Sequence, residues 1–272
     1  MGRGARVVRT GWLRGGTSSA VHRVDVQMAS GTVLGLVLRR HVRLDVLQEE
    51  PWLAEREAVA LRLIEQRGVP APRLVAADVE GAECDVPAVL MTRVRGRLEL
   101  RPRDVDRWLW RMAELLPPIN AIDPGDVRVP EWEVWDDLRR SRVPGWSRMP
   151  DVWRKLIERV HRPWPAYRPV FLHRDFQHYN VLWLRGRPSA VVDWMNICMG
   201  PVEMDLQQFR RNLLWEFGNE VAQRYLGIYR EVTGIDPDPF WEALNLGEAW
   251  TDVPPHMVDD YDAYVASLLS RL

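Results

Sequence analysis

The chain has 272 residues, of which 46% are hydrophobic and 28% are charged, and its net charge is −1 at pH 7. This composition is typical of a globular protein, and it gives no electrostatic reason to expect nucleic acid or an anionic membrane as a partner. No apolar stretch approaches the roughly 20 residues of a transmembrane helix, and the basic N-terminus lacks the apolar segment of a signal peptide. We therefore expect a cytoplasmic protein in which Cys84 and Cys198 are reduced thiols.

The first 95 residues predict a β-rich lobe with one helix. Val21, Val24 and Val26 alternate with polar residues, as in a half-buried strand. The stretch after Glu50-Pro51 has apolar residues at helical spacing and ends at Gly68. The pattern predicts strands over residues 6–13, 20–28, 32–39, 74–77 and 88–92, and a helix over 51–67.

Beyond Gly96 the pattern becomes mainly helical, and the junction near residues 93–97 is the predicted hinge. We therefore divide the chain into a nucleotide-binding lobe, residues 1–95, and a catalytic and acceptor-binding lobe, residues 96–272. A nucleotide is expected in the cleft between two such lobes. Helices are predicted over residues 103–116, 131–140, 150–162, 202–216, 218–233, 238–247 and 256–271, with short strands between 169 and 192.

Two short apolar runs in the second lobe are each followed by polar residues. The run 170–172 precedes Asp175, and the run 190–192 precedes Asp193. Apolar runs bounded by polar turns indicate buried strands, and catalytic groups commonly lie on loops held by such strands. Asp175, Asn180 and Asp193 are therefore expected on neighbouring loops that face one spot.

The spacing of these side chains fits a magnesium-dependent transfer of phosphate. Mg²⁺ prefers oxygen ligands, keeps several waters and takes only one or two protein carboxylates. His173-Arg174-Asp175, then Asn180, then Asp193 after a strand, follow the order of the kinase catalytic loop and its metal-binding Asp.

With Trp194, Gly200-Pro201 and Asp205, this segment resembles the aminoglycoside phosphotransferase and choline kinase branch of the protein kinase-like fold. The resemblance covers about residues 10–250. It implies a two-lobed α+β fold, with a small antiparallel β N-lobe containing one helix and a larger, mainly helical C-lobe.

The resemblance also implies the roles of the polar residues. Asp175 would be the catalytic residue that orients the acceptor hydroxyl and accepts its proton. Asn180 and Asp193 would hold Mg²⁺ on the phosphates of ATP or GTP. His173 is interpreted as a structural residue that braces the turn of the loop, and Asp205 as a structural residue that braces the core and is not a ligand.

The acceptor is expected to be a small molecule. Protein kinases carry an activation segment ending in Ala-Pro-Glu, whereas here Asp193 is followed by Trp194-Met195 and by no such segment. An aminoglycoside or a related amino sugar is the favoured acceptor, and an aminoglycoside would imply antibiotic resistance. Choline, homoserine-like metabolites and macrolides remain alternatives.

Further nucleotide contacts come from the resemblance. A glycine-rich turn between the first two strands would approach the phosphates, because glycine lets backbone N–H groups surround an anion. The strand before the hinge would hold the adenine edge by its backbone. The residues assigned to the nucleotide in this way are Gly16, Ser18, Ser19, Met91, Thr92 and Val94.

Arg39 stands at the strand position where kinases usually carry a lysine that pairs with a helix glutamate. Its predicted partner is Glu57, with Glu55 as the second choice, and Arg39 would also contact phosphate. Because arginine and lysine are not interchangeable, a nucleotide-binding pseudoenzyme is one alternative. A second is a metal hydrolase that uses His173, Asp175 and His178.

Two features are candidates for the acceptor site. The first is the acidic group Asp252, Asp259, Asp260 and Asp262, which would attract a polycation but equally fits a solvated helix start. The second is a set of aromatic residues in the helical lobe, Trp132, Trp135 and Trp146.

Overall fold

The computed structural model describes residues 4–13, 19–65, 67–247 and 253–272. The chain forms two compact units. The first comprises residues 1–100 and 179–197, and the second comprises residues 101–178 and 198–272. The predicted lobes, residues 1–95 and 96–272, stay a prediction as functional domains. No helix in the described part of the chain is long and apolar enough to cross a membrane.

The first unit is built on an antiparallel sheet with strand order β1-β2-β3-β5-β4. All of the strands predicted before the hinge are present, within a residue or two. Their bounds are β1 Arg6–Trp12, β2 Ala20–Gln27, β3 Val33–Arg40, β4 Leu74–Asp78 and β5 Ala88–Thr92. Two helices accompany the sheet, α1 Leu44–Glu49, which was not predicted, and α2 Leu53–Ile64, which was.

Helix α2 packs through an apolar stripe. Leu53, Ala58, Leu61 and Ile64 recur at helical spacing and are almost fully buried. Glu57 lies among them, also buried, which is unusual for a carboxylate and indicates a charged partner. The helix therefore carries one polar group into the interior of the first unit.

A second, smaller sheet of the first unit contains β6 Arg97–Leu98, β8 Val181–Leu184 and β9 Arg187–Val191. Arg185 and Gly186 connect β8 to β9 with φ of 52° and 73°. Positive φ at both central residues is typical of the tight turn that joins twisted antiparallel strands. The register pairs Val181 with Val191, so the residues just outside this pair lie together at the open end of the hairpin.

The second unit is mainly helical, with one short two-stranded sheet. Its strands are β7 Val170–Leu172 and β10 Cys198–Gly200. Its helices are α3 Val105–Ala113, α4 Leu116–Asn120, α5 Pro150–Val160, α6 Glu203–Phe217, α7 Asn219–Thr233, α8 Pro239–Leu244 and α9 Val258–Arg271.

The helix predicted over residues 131–140 is wrong. Only a short 3₁₀ turn forms there, at Leu138–Arg140. The start of the segment instead pairs with β10, because Trp132 donates a backbone hydrogen bond to Met199 and Met199 donates one to Pro130. The apolar residues at positions 132, 135 and 138 have helical spacing, but these long-range backbone bonds determine the conformation.

Candidate active site

The loop that follows β7 is held by the carboxylate of Asp205, on the first turn of α6. The backbone N–H groups of His173 and Arg174 donate to its two oxygens at 2.9 and 2.7 Å. Asp205 is fully buried, and its burial raises the pKa of the carboxyl while the two amides and His173 oppose that shift. Asp205 is thus a structural residue, as predicted, and the part it holds is the backbone of this loop.

Asp175 is the next residue of the loop, and its side chain is oriented by two amides. The side-chain nitrogens of Gln177 and Gln208 each lie 2.9 Å from the same oxygen, Oδ1 of Asp175. The Asp175 backbone N–H lies 3.3 Å from Nδ1 of His173. His173 is buried, so its contact supports the loop backbone as predicted. The structure thus presents the Asp175 carboxylate in a fixed orientation.

Arg174, between His173 and Asp175, connects this loop to the segment 133–137. Its φ is 71°, a left-handed conformation that is uncommon for arginine and indicates local constraint. Its guanidinium lies 3.8 Å from the ring centre of Trp135 and donates to the carbonyl oxygen of Glu133 at 3.0 Å. Burial lowers the pKa of Arg174 to about 10, so the cation persists at neutral pH.

The first unit contains the two predicted metal ligands, Asn180 and Asp193. Asn180 directly precedes β8, and its carbonyl oxygen accepts a hydrogen bond from the Val192 N–H at 2.8 Å. Asp193 is the next residue after Val192, so both side chains start from the same end of the β8–β9 hairpin. The proximity of their backbones follows from the strand register, as the apolar runs in the sequence predicted.

Asp193 has a left-handed backbone, with φ 71° and ψ 56°. Asp tolerates this region better than most residues, but it still costs free energy. The conformation turns the chain from the hairpin into the 3₁₀ helix Trp194–Asn196, in which Trp194 is buried and donates its indole N–H to Val191. The Asp193 side chain remains 31% exposed.

Arg39 forms ion pairs with two acidic residues of the first unit, Asp193 and Glu57. Its NH1 lies 2.5 Å from Oδ1 of Asp193, and its Nε lies 3.4 Å from Oε2 of Glu57. The second contact confirms Glu57 as the partner that the sequence predicted. Burial disfavours the Arg39 cation, but the two carboxylates more than offset it and raise the pKa of Arg39.

The end of the β8–β9 hairpin offers oxygen ligands for a cation. The Asn180 amide and the Asp193 carboxylate are the oxygen types that Mg²⁺ accepts. Among the residues that the structure describes, no three His, Cys, Asp or Glu side chains group as a metal centre. His173, Asp175 and His178 therefore form no such group, and the ring Nε2 of His178 instead lies 3.4 Å from Glu216.

The carboxyl of Glu57 has an unusual protonation equilibrium. Its burial raises the pKa to about 7, although Arg39 opposes the shift. Nearby His41 is also buried, and its burial, together with Arg39, lowers the pKa of the imidazole to about 4. His41 therefore stays neutral near pH 7. Of these two groups, Glu57 is the one that changes its protonation state near neutral pH.

We expect Glu57→Gln to change how stability depends on pH. A carboxyl whose pKa rises from 4.5 to about 7 on folding keeps a proton that the unfolded chain releases, so the wild type loses stability as pH rises through that window. The loss is on the order of 3 kcal/mol and levels off above about pH 7. Urea unfolding measured from pH 4.5 to 8 should show the free energy of unfolding of the variant rising relative to that of the wild type as the pH increases.

Glu55→Gln is the matched control, because Glu55 lies on the same helix with its side chain exposed. Its stability should follow the wild-type curve in parallel. If Glu57→Gln also ran parallel to the wild type, the raised pKa of Glu57 would be refuted.

The other residues assigned to the nucleotide are all in the first unit. Ser19 is buried directly before β2. Met91 and Thr92 end β5, where Thr92 exchanges hydrogen bonds with the backbone of Arg73, and Val94 follows that strand. Gly16 and Ser18 lie outside the described residues. The nucleotide-contact role of all of these residues stays a prediction.

The acidic group near the C-terminus is used for structure. Asp262 is buried and accepts hydrogen bonds from Ser147 and from the indole of Trp153. Asp260 accepts the backbone N–H of Asn219, and Asp259 pairs with an arginine at the surface. Asp252 lies outside the described residues. The described acids thus make structural contacts near the start of helix α9, but the buried Asp262 differs from the solvated helix start that the sequence offered as the alternative.

Of the three tryptophans predicted as acceptor-site candidates, two pack against other aromatic residues and one is exposed. Trp132 is buried and packs against Trp164 and Trp241, and Trp146 packs against Trp153. Trp135 differs because half of its surface is exposed. It is the one of the three predicted tryptophans that presents a large area to solvent.

Comparison with known proteins identifies the family. Residues 13–241 match the model of the phosphotransferase enzyme family known as APH. The chain belongs to this family. The predicted family is therefore confirmed, and so is the predicted protein kinase-like α+β fold, because family structures superpose on nearly the whole chain.

One curated family relative is the N-acetylmuramate/N-acetylglucosamine kinase of Neisseria meningitidis serogroup B, strain MC58. It is 31% identical over 147 residues, which are 53% of this chain and 41% of the relative. The match thus spans less than half of that relative's length.

Two solved structures share the fold. The aminoglycoside phosphotransferase APH(4)-Ia has a TM-score of 0.60 and 16% identity, covering 98% of this chain and 94% of that one. The amicoumacin kinase hAmiN, solved with AMP-PNP, Ca²⁺ and Ami, has a TM-score of 0.56 and 12% identity, covering 96% and 88%. At these identities the likeness shows the fold alone.

Sequence reasoning missed Gln177 and Gln208, which contact Asp175. A signal for Gln208 was present, because it lies one helical turn after Asp205 and so on the same face of α6. Gln177 lies two residues after Asp175 in the loop, within reach of its carboxylate. The link from Gln208 onward to Arg211 and Asp136 had no such local signal.

Proposed function

We propose that this protein transfers the γ-phosphoryl group of ATP or GTP to a hydroxyl group of a small molecule, with an amino sugar or aminoglycoside as acceptor. The observation that carries the proposal is the Asp175 carboxylate, which two side-chain amides orient on a loop whose backbone Asp205 holds at the two preceding residues. A loose phosphoryl-transfer transition state depends more on alignment than on basicity. A rigid carboxylate that orients the hydroxyl and accepts its proton suits that need.

Asn180 and Asp193 would hold Mg²⁺, as their shared position at the end of the β8–β9 hairpin and their oxygen donors support. When bound, the ion neutralises charge on the nucleotide phosphates. Arg39 would contact the same phosphates. Its short ion pair with Asp193 supports this role, because a cation near that carboxylate would compete with the guanidinium and release one of its N–H groups.

The remaining nucleotide contacts are proposed on the family pattern. The turn after β1 would surround the phosphates, and the backbone after β5 would hold the base. The residues proposed for these contacts are Gly16, Ser18, Ser19, Met91, Thr92 and Val94, with Glu57 keeping Arg39 in place.

Three observations favour an amino sugar as the acceptor. The relative from Neisseria is named for N-acetylated amino sugars. The described acids near the C-terminus make contacts within the protein, which weakens the electrostatic argument for a polycation. The exposed ring of Trp135, two residues from Glu133 and stacked on Arg174, offers an apolar surface that suits the face of a sugar ring.

A transfer assay across acceptor classes tests the proposal. The purified protein would be incubated with Mg²⁺ and γ-labelled ATP or GTP, and with each of four acceptor groups: N-acetylated amino sugars, aminoglycosides, choline and macrolides. We expect label in an amino-sugar product. Label found only in the choline or macrolide product would replace the amino sugar by that compound as the acceptor class. Tight nucleotide binding without label in any product would favour a pseudoenzyme.

A further inference from the structure

We propose that Gln208 is a positioning residue for Asp175 and that it couples the orientation of this carboxylate to the segment 133–137. The inference rests on the proposed function, in which Asp175 meets the acceptor hydroxyl. All of the groups involved belong to the second unit.

The orientation of the Gln208 amide is determined by its two contacts. Gln208 is 5% exposed, and its Oε1 accepts a hydrogen bond from NH2 of Arg211 at 3.1 Å. A guanidinium can only donate, so the amide oxygen must face Arg211. The amide nitrogen consequently faces Asp175, whose Oδ1 it approaches to 2.9 Å. An ionised carboxylate can only accept hydrogen bonds, so both contacts require the same orientation of the Gln208 amide.

Arg211 continues the chain of contacts to the segment that contains Trp135. Its NH1 lies 3.0 Å from Oδ2 of Asp136, the residue after Trp135. The backbone carbonyl of Asp136 accepts the N–H of Gly247 at 2.7 Å. A Cβ atom on Gly247 would lie 2.4 Å from the Asp136 carbonyl carbon, so only glycine permits this approach.

These contacts connect the segment 133–137 to the proposed base in two ways. One runs through Asp136, Arg211 and Gln208 to the Asp175 side chain. The other runs through the stacking of Trp135 on Arg174, the residue before Asp175. A movement of this segment would therefore be transmitted to the carboxylate. Helix α6 contributes both Asp205, which fixes the loop backbone, and Gln208, which fixes the side chain.

Gln207 provides a matched control for Gln208. It is the preceding residue of the same helix, it is also buried, and its amide bonds with Asn245 and not with Asp175. Replacement by methionine keeps the length of either side chain and removes its hydrogen bonds. The pair thus separates a loss of donor at Asp175 from a general loss of buried hydrogen bonds on α6.

Gln208→Met should lower kcat by about 10- to 100-fold, because misorientation of a catalytic group costs rate in that range. The KM for the acceptor and the Kd for nucleotide should stay near wild type, since Gln208 is not proposed to touch either. Gln207→Met should reduce Tm and leave kcat within about twofold. Adding Gln177→Met to Gln208→Met should deepen the loss, because both donors to Oδ1 are then gone.

Coupling to the segment 133–137 has its own measurement. Arg211→Met alone should lower kcat, but it should lower kcat little further when it is combined with Gln208→Met, because both changes break the same chain of contacts from Asp136 to Asp175. Fully additive effects of the two changes would refute the coupling of this segment to Asp175. Equal loss of kcat in Gln207→Met and Gln208→Met, or no loss in either, would overturn the positioning role.

A second readout does not depend on turnover. In ¹⁵N-labelled protein the side-chain amide signals of Gln208, assigned by their loss in Gln208→Met, should shift in Asp175→Ala, while those of Gln207 should not. If the wild type transfers phosphate to no acceptor, the proposed function fails, and these signals still test the contact. Unchanged Gln208 signals in Asp175→Ala would overturn the inference itself.

Discussion

Replacing Asp175 by asparagine is expected to lower turnover by about 10²- to 10⁴-fold, the range that a positioned base contributes. Asparagine has the same shape, but its amide is not a base and cannot take the proton of the acceptor hydroxyl. Affinity for Mg-nucleotide should stay within about twofold of wild type, because Asp175 is not assigned to the metal. Single-turnover kinetics with saturating acceptor, together with calorimetry of nucleotide binding, would measure both quantities.

The surroundings of Asp175 make this variant interpretable. The loop backbone is held by Asp205 independently of the Asp175 side chain, so the loop should not collapse. Asp151→Asn is a suitable control, because Asp151 is exposed on α5 and pairs with a nearby arginine at the surface. An Asp175→Asn enzyme with turnover close to wild type would rule out Asp175 as the base.

Asp193→Asn is expected to affect binding before it affects chemistry. Loss of the carboxylate charge should weaken Mg²⁺-dependent nucleotide binding by about 10²-fold or more, because this is the only carboxylate proposed to touch the ion. Binding measured in EDTA should change little. Titration of ATP and GTP with and without Mg²⁺ would separate these two cases.

Asparagine is the informative substitution at this position. Asp193 has a left-handed backbone, which asparagine tolerates and alanine does not. Asp85→Asn is the matched control, since Asp85 is an exposed aspartate of the same unit with a φ of 63°. It should bind nucleotide as the wild type does. Equal Mg²⁺ dependence in Asp193→Asn and the wild type would exclude Asp193 as a ligand.

The local patterns of the sequence predicted much of this structure. Strand β5 matches its predicted range, and the helix containing Glu57 was placed by its apolar spacing between Glu50-Pro51 and Gly68. The pairing of Arg39 with Glu57 was also predicted, because kinases carry a strand lysine that pairs with a helix glutamate at this position. The order of Asp175, Asn180 and Asp193, with Trp194, Gly200-Pro201 and Asp205, sufficed to predict the family, because it follows the order of the kinase catalytic loop and its metal-binding Asp.

The rest depended on contacts between residues far apart in the chain. The segment 131–140 has the apolar spacing of a helix, but its first residues pair with β10, almost 70 positions later. Arg211 meets Asp136 over a comparable separation, and Gln208 meets Asp175 at 33 positions. No local pattern encodes such pairs. For the same reason the structural use of Asp260 and Asp262 could not be told from an acidic pocket.

In the proposed reaction a phosphoryl group leaves a nucleotide and arrives on a hydroxyl of the acceptor. This transfer can be followed by ³¹P NMR of the wild-type protein with Mg²⁺, ATP or GTP, and N-acetylglucosamine. We expect a new phosphomonoester signal coupled to a proton of the sugar, and no such signal with Asp175→Asn. Release of inorganic phosphate alone, with the sugar and every aminoglycoside unchanged, would refute the proposed transfer.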